Sequence, residues 1–252
     1  MTDVAALGIA MTAAAVASAV NAFAGGGMLI AFPVLVALGA SPITANATST
    51  VGLLFGSLGG VVGYRRNMAG TEALQRWLLG VSAAGGALGA LLLSRTSDST
   101  FQHVVPWLIL MATVLFAVGP RWIRAHSEPQ SRRTHHLGMG LIALQLVVGV
   151  YGGYFGAGAG FVVLAMLQWM GITDLHAMNG LKLVAGLGMN TAAIVVFILA
   201  GVVEWRFAVV MMVGAGVGGL VASRFAQRLE TRYIRHVVIA CGLVSAVWLF
   251  RR

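Results

Sequence analysis

Charged residues are scarce in this sequence, and their scarcity excludes a soluble globular protein. Asp, Glu, Lys and Arg make up 9% of the 252 residues, whereas a typical soluble domain has about 25%. Hydrophobic residues make up 59%, and they form runs long enough to cross a bilayer. The composition therefore predicts an all-α polytopic membrane protein.

Cysteine and acidic residues are also few. Cys241 is the single cysteine, which excludes an intramolecular disulfide, and no Cys/His cluster offers a metal site. Seven acidic residues stand against sixteen basic Lys and Arg residues, and the net charge is +9. The arginines lie in short loops between apolar runs, as the positive-inside rule expects, so we predict no nucleic-acid partner.

The sequence lacks the motifs of the common enzyme and cofactor classes. The glycine-rich stretch Phe155–Gly160 has no preceding strand, which excludes a dinucleotide-binding loop. A nucleophile with a base, a Walker lysine loop and a metalloprotease helix are all missing. We therefore predict neither an enzyme nor a cofactor.

Ten apolar segments organise the chain, five in each half. In the first half they are Val4–Ala24, Gly27–Ala40, Ile43–Tyr64, Leu74–Ser94 and Phe101–Gly119; in the second they are Leu137–Ala157, Gly160–Gly171, Leu175–Ala200, Phe207–Ser223 and Ile234–Phe250. The second segment of each half rises only about 18–21 Å, against a hydrocarbon core of about 30 Å. We therefore predict short or broken helices where two transmembrane repeats, 1–119 and 137–252, meet, with a cytoplasmic linker at 120–136.

A shift of 133 residues relates the two halves and predicts an internal repeat. The shift aligns Asn46 with Asn179, and it aligns His103-Val104-Val105 with His236-Val237-Val238. Equivalent loops carry opposite arginine bias, which favours two inverted repeats of five segments each. An arrangement of eight spans, with both short segments re-entrant and the repeats parallel, fits the charges almost as well and stays open.

Lys182 is the only lysine, and it lies in an apolar stretch that runs from Tyr151 to Asn190. Asn179 is three residues before it, so the two side chains share a helix face. A fixed positive charge and amide donors beside broken helices predict a binding site for a small anion at membrane depth. The predicted site residues are Asn46, Thr48, Ser49, Asn179, Lys182, Gly26, Gly27, Gly158, Gly160 and Tyr154.

Helix caps beside the short segments support the same prediction. Ser41 is predicted to cap the third segment, with Pro42 at the first helical position, and Thr173 or Asp174 is predicted to cap the eighth. The positive ends of these helices would then face an interior cavity. Asp174 has two interpretations, since it either only caps its helix or carries a coupling proton.

Each predicted site residue also has a purely structural interpretation. Lys182 is seven residues into its segment and could extend its ammonium to the cytoplasmic interface. Asn46 and Asn179 could hydrogen-bond across helices, and the glycines could be packing surfaces. Tyr154 could belong to an interfacial aromatic belt.

Several stretches together resemble the TauE/SafE family of sulfite exporter-like membrane transporters. They are Asn21–Gly27, Thr44–Thr50, Gly63–Arg66, Gly152–Gly160, His176–Lys182 and Gly201–Trp205. The resemblance covers nearly the whole chain and implies an inner-membrane permease for small sulfur-containing anions, such as sulfite or organosulfonates. Family members are usually described with about eight spans.

We therefore expect a secondary transporter that exports such anions by alternating access between two inverted halves. The expected partners are the anionic substrate and the lipid bilayer, and a homo-oligomer is left open. Two alternatives also stay open. One is an anion channel, and the other is a structural membrane subunit that moves no anion.

Overall fold

The computed structural model of the chain describes residues 3–24, 26–125, 138–225 and 231–251. These residues form α-helices joined by short connections, with no strand in the described ranges. The helices are α1 Asp3–Ala24, α2 Met28–Ala37, α3 Pro42–Tyr64, α4 Glu72–Ser94, α5 Asp98–Ala125, α6 Met139–Tyr154, α7 Ala159–Trp169, α8 Leu175–Leu199, α9 Trp205–Phe225 and α10 Thr231–Phe250. Each predicted apolar segment corresponds to one helix, and the predicted all-α membrane fold is confirmed.

The helix boundaries follow from capping residues in the sequence. The Ser41 hydroxyl accepts a hydrogen bond from the Thr44 backbone N–H, and Pro42 stands at the first position of α3. The Asp174 carboxylate accepts from the His176 backbone N–H at the start of α8. Both predicted caps are therefore present, and Asp174 rather than Thr173 caps α8.

Helix length distinguishes five long apolar helices from the two shortest helices of the described chain. Helices α1, α3, α4, α5 and α8 are long and apolar enough to span it. Helices α2 and α7 have 10 and 11 residues, a rise of about 15–17 Å, which is roughly half the hydrocarbon core. The second helix of each half is thus short, as its sequence predicts.

The last three helices of each half begin at the same sequence offset, and the two halves interlock. Helices α8, α9 and α10 begin 133 residues after α3, α4 and α5. Helix α4 packs against α6 and α8 of the second half, while α9 packs against α1 and α3 of the first. The fourth helix of each half is therefore inserted into the other half.

Glycine pairs make these crossings close. Gly85 and Gly86 of α4 lie directly against the backbone of Gly149 and Gly153 in α6. At the equivalent place in α9, Gly218 lies against the Ala15 backbone of α1. Small residues let helix backbones approach closely in a membrane, where apolar burial alone does not drive association.

Equivalent helices of the two halves run in opposite directions where they meet. Along α3 and α8, Gly60 lies against Leu183 and Tyr64 lies against Gly180. Along α5 and α10, Thr113 lies against Gly242, and the Trp107 and Phe250 rings are 5.0 Å apart. In both pairs the residue number rises along one helix as it falls along the other, so the pairs are antiparallel.

Helices α1 and α3 run in the same direction, since both run parallel to α9. Met11 and Ala15 of α1 lie against Gly214 and Gly218, while Gly52 and Gly56 of α3 lie against Met211 and Ala215. The short α2 therefore returns the chain from the end of α1 to the start of α3. A re-entrant α2 would instead make α1 and α3 antiparallel, as the eight-span arrangement requires.

The predicted linker is helical at its beginning. Helix α5 continues to Ala125, so residues 120–125 extend the last helix of the first half. The remainder of the predicted linker, with His126, His135 and His136, lies outside the described residues.

Candidate functional site

The site begins at the break between α6 and α7. Gly156 and Gly158 adopt φ values of +79° and +80°, a left-handed conformation that glycine alone adopts without strain. The Tyr151 hydroxyl donates to the Ala157 carbonyl and holds the turn. Ala157 and Gly158 are buried, so α7 begins inside the helix bundle.

Lys182 is buried beside this break. Its side chain is 4% exposed, and its aliphatic stem packs against Gly160 at the start of α7. The ammonium donates to the Asn179 Oδ1 at 3.0 Å, and the Asn179 amide donates to the Leu175 carbonyl at 2.9 Å. The ammonium has three N–H donors, and Asn179 is its one hydrogen-bond partner among the described residues.

No carboxylate within the described parts of the chain forms a salt bridge with Lys182. A buried charge is normally paired, because removing it from water costs several kcal/mol. A snorkelling lysine would place its ammonium at an exposed position, whereas this one faces the protein interior. The burial of Lys182 therefore favours a role inside the bundle.

A cavity of about 70 Å³ adjoins Lys182, several times the roughly 10–15 Å³ that one water molecule needs. Its walls come from α1, α3, α8 and the α6–α7 junction with the first turns of α7. They consist of Asn21, Ser57, Gly156, Ala159, Gly160, Val163, Lys182, Leu183, Gly186, Met189 and Asn190. All but Asn21 and Ser57 belong to the predicted stretch Tyr151–Asn190, and Lys182 is the only charged residue among them.

The two lining residues that come from the first half were not among the predicted site residues. The Asn21 amide lies 3.5 Å from the Ser57 hydroxyl, and both residues line the same cavity as Lys182. The 133-residue offset could have identified them. It aligns Ser57 with Asn190, which faces the same cavity, and Asn21 with Tyr154.

Three predicted residues of α3 lie outside this cavity. The Asn46 amide donates to the Tyr154 carbonyl at 3.1 Å, and the Thr48 hydroxyl accepts from the Glu204 backbone N–H at 2.9 Å. The Asn46 Oδ1 and the Ser49 hydroxyl are buried and have no hydrogen-bond partner among the described residues. Asn46 and Thr48 thus connect α3 to the second half of the chain.

The remaining predicted residues lie at packing contacts or at a helix cap. Gly26 packs on the Phe116 ring, Gly27 on the Ala17 carbonyl and Gly158 on Ala112. The Tyr154 and Phe101 rings are 5.6 Å apart, so Tyr154 packs within the protein. Asp174 is exposed at the helix start, where it caps α8. Gly160, Asn179 and Lys182 are therefore the predicted residues that meet at the cavity or directly beside it.

Comparison with known proteins gives a consistent match along nearly the whole chain. The family model described as Sulfite exporter TauE/SafE matches residues 10–249. The Probable membrane transporter protein YfcA of Escherichia coli (strain K12) is 30% identical over 97% of this chain and 90% of its own length. The Probable membrane transporter protein ORF9 of Sinorhizobium sp is 28% identical over 96% of this chain and 92% of its own length.

A similar protein of Haemophilus influenzae (strain ATCC 51907 / DSM 11121 / KW20 / Rd), also named a probable membrane transporter protein, is 29% identical over 89% of this chain and 86% of its own length. No solved structure matches the chain. The match to the family model therefore spans both halves and the part of the chain that contains the cavity.

Proposed function

The chain belongs to the sulfite exporter TauE/SafE family of membrane transporters, and we propose that it exports small sulfur-containing oxyanions, sulfite or organosulfonates, across the inner membrane. The main evidence for this proposal is the environment of Lys182. It is buried beside a cavity, and no described carboxylate neutralises it. A lysine at the centre of a membrane helix costs about 2.5–3.5 kcal/mol on insertion scales, and a bound anion would offset that cost.

The neutral groups around the cavity suit the same ligand. Asn21, Ser57 and Asn190 supply amide and hydroxyl donors that can bind the oxygens of an oxyanion. The first turn of α7 faces the cavity through Ala159 and Gly160, and a helix N-terminus attracts negative charge. The stem of Lys182 packs against Gly160 at this helix start.

The helix directions support a mechanism of alternating access between inverted halves. Equivalent helices α3 and α8 are antiparallel, and both line the cavity, α3 through Ser57 and α8 through Asn190 among others. Inverted-repeat transporters bind their substrate at the interface between repeats, beside broken helices. Movement of one half against the other would open this cavity to each side of the membrane in turn.

We also place Asn46 and Ser49 in the proposed pathway. They occupy the positions in α3 that correspond to Asn179 and Lys182 in α8. Their unpartnered Asn46 Oδ1 and Ser49 hydroxyl are buried, and unpaired buried polar groups of this kind are costly. Contact with the anion or its water in the alternate state would satisfy them.

Transport of labelled sulfite and of a small sulfonate into proteoliposomes tests the proposal. Lys182→Ala should reduce uptake at least about tenfold, while Lys182→Arg should retain part of it because the charge persists. Arg95→Ala is the matched control, since Arg95 is exposed at the end of α4. An Ala variant that inserts, purifies and transports at the wild-type rate would contradict the role of Lys182.

The same vesicles separate the alternatives. A transporter exchanges labelled for unlabelled anion across the membrane, so unlabelled substrate inside the vesicles should accelerate uptake. A channel would give steady single-channel current with no such acceleration. A structural subunit would move no anion and would copurify with a partner in fixed ratio.

A further inference from the structure

We infer that the Lys182 cavity selects singly charged anions over doubly charged ones. The inference deepens the proposed function and depends on the cavity's being the anion site. It follows from the charge of the residues around the cavity and not from its size. Lys182 is the one charged residue among those that line it.

The helices that build the cavity walls carry almost no other charge. Helices α3 and α7 have no Asp, Glu, Lys or Arg, and α8 has Lys182 alone. The charged residue of α1 is Asp3, which is exposed and paired with Arg206 at 2.9 Å. Asp3 is eighteen residues from Asn21, about 27 Å along the helix, so it does not act on the cavity.

The charge at the cavity is therefore close to one positive unit. The N-terminus of α7 adds about half a unit of partial positive charge. A monoanion bound beside Lys182 would form a neutral pair, and the neutral donors of Asn21, Ser57 and Asn190 would bind its remaining oxygens. A dianion would leave about half a unit to one unit of negative charge unpaired among largely buried residues, which is unfavourable.

The substrate class of the cavity is then narrower than all sulfur oxyanions. Alkanesulfonates are monoanions at every physiological pH, and sulfite is a monoanion when it carries one proton. Sulfate shares the four-coordinate tetrahedral sulfur of the alkanesulfonates and carries a second negative charge. The cavity should therefore accept methanesulfonate and hydrogensulfite and should discriminate against sulfate.

Methanesulfonate and sulfate provide the test because they are similar in shape and differ by one charge. Their uptake is compared in proteoliposomes at equal concentration and ionic strength, and their binding is compared by thermal stabilisation of the purified full-length protein. We expect methanesulfonate to be preferred at least about tenfold, because that ratio requires only about 1.4 kcal/mol. Sulfate uptake, or thermal stabilisation by sulfate, that equals or exceeds the value for methanesulfonate would overturn the inference.

Three variants test whether charge causes the preference. Asn190→Lys adds a second cation to the cavity wall and should move the preference toward sulfate, while Asn190→Gln keeps the charge unchanged and should keep the methanesulfonate preference. Lys182→Met should abolish the stabilisation by both anions. An Asn190→Lys protein that still excludes sulfate as strongly as Asn190→Gln would contradict charge matching.

The binding assay distinguishes this inference from the transport proposal. If methanesulfonate selectively stabilises the protein but is not taken up, the monoanion site is supported and the transport function is overturned. Uptake of both anions at equal rates would keep the transport function and overturn the charge selection. Stabilisation by neither anion would overturn the site itself.

Discussion

The ammonium of Lys182 lies 3.0 Å from the amide oxygen of Asn179, one helical turn earlier on the same face of α8. The Asn179 amide in turn donates to the Leu175 carbonyl, which fixes the orientation of its oxygen toward Lys182. The neutral oxygen holds the ammonium in place without cancelling its charge. The charge thus stays available to a ligand in the adjoining cavity.

Replacement of Asn179 by aspartate tests this arrangement. Asn179→Asp puts a carboxylate where a neutral oxygen lies 3.0 Å from the ammonium, and the resulting ion pair would compete with the substrate. We expect at least about a tenfold loss of anion uptake, with thermal stability equal to or above that of the wild type. Asn179→Gln is the neutral control and should retain more uptake than the aspartate variant; equal uptake by the two would contradict this role.

Because α4 crosses α6 and α8 closely, one added methyl group at the crossing should lower the stability of the protein substantially. Gly86 lies against the backbones of Gly153 and Met189, so Gly86→Ala forces two helices apart. We expect a loss of about 1–3 kcal/mol in unfolding free energy, measured by thermal or denaturant unfolding in detergent. Gly80→Ala in the same helix meets open space and should be neutral or stabilising by up to about 1 kcal/mol. Equal stability of the two variants would contradict the packing.

Inverted halves predict opposite labelling of two equivalent loop residues. Asn67 and Ala200 are related by the 133-residue offset, and both are exposed. Single cysteines at these positions, in a Cys241→Ser background, should react with a membrane-impermeant maleimide from opposite sides of the membrane. The antiparallel crossing of α3 and α8 is the physical reason. Labelling of both positions from the same side of the membrane would instead support parallel repeats.

Asp174 is expected to cap α8 and to take no part in coupling. It is exposed, and its carboxylate accepts from the His176 N–H. Asparagine is an equally good N-cap, so Asp174→Asn should leave stability, transport and the pH dependence of transport unchanged. Asp174→Ala should lower the unfolding free energy by about 1 kcal/mol. A transport rate that loses its pH dependence in Asp174→Asn would instead indicate proton coupling.

Local residue patterns predicted much of the fold because the signals are strong in a membrane chain. Each apolar run became one helix, since a backbone in lipid must satisfy its own hydrogen bonds. Ser41 with Pro42 marked the start of α3, and the short second run of each half became a short helix. Lys182 stood out because it is the only lysine, in a segment that is otherwise apolar.

By itself, the sequence determined the helices, their caps, the offset between the halves and the stretch that supplies most of the cavity wall. The tertiary structure decided which polar residues meet. It brought Asn21 and Ser57 to Lys182, and it placed Asn46 and Thr48 at helix contacts elsewhere. The periodicity of the sequence shows on which face of its own helix a residue lies. Which residues of other helices contact that face depends on how the helices of the two halves pack together, including the insertion of α4 and α9 into the opposite halves.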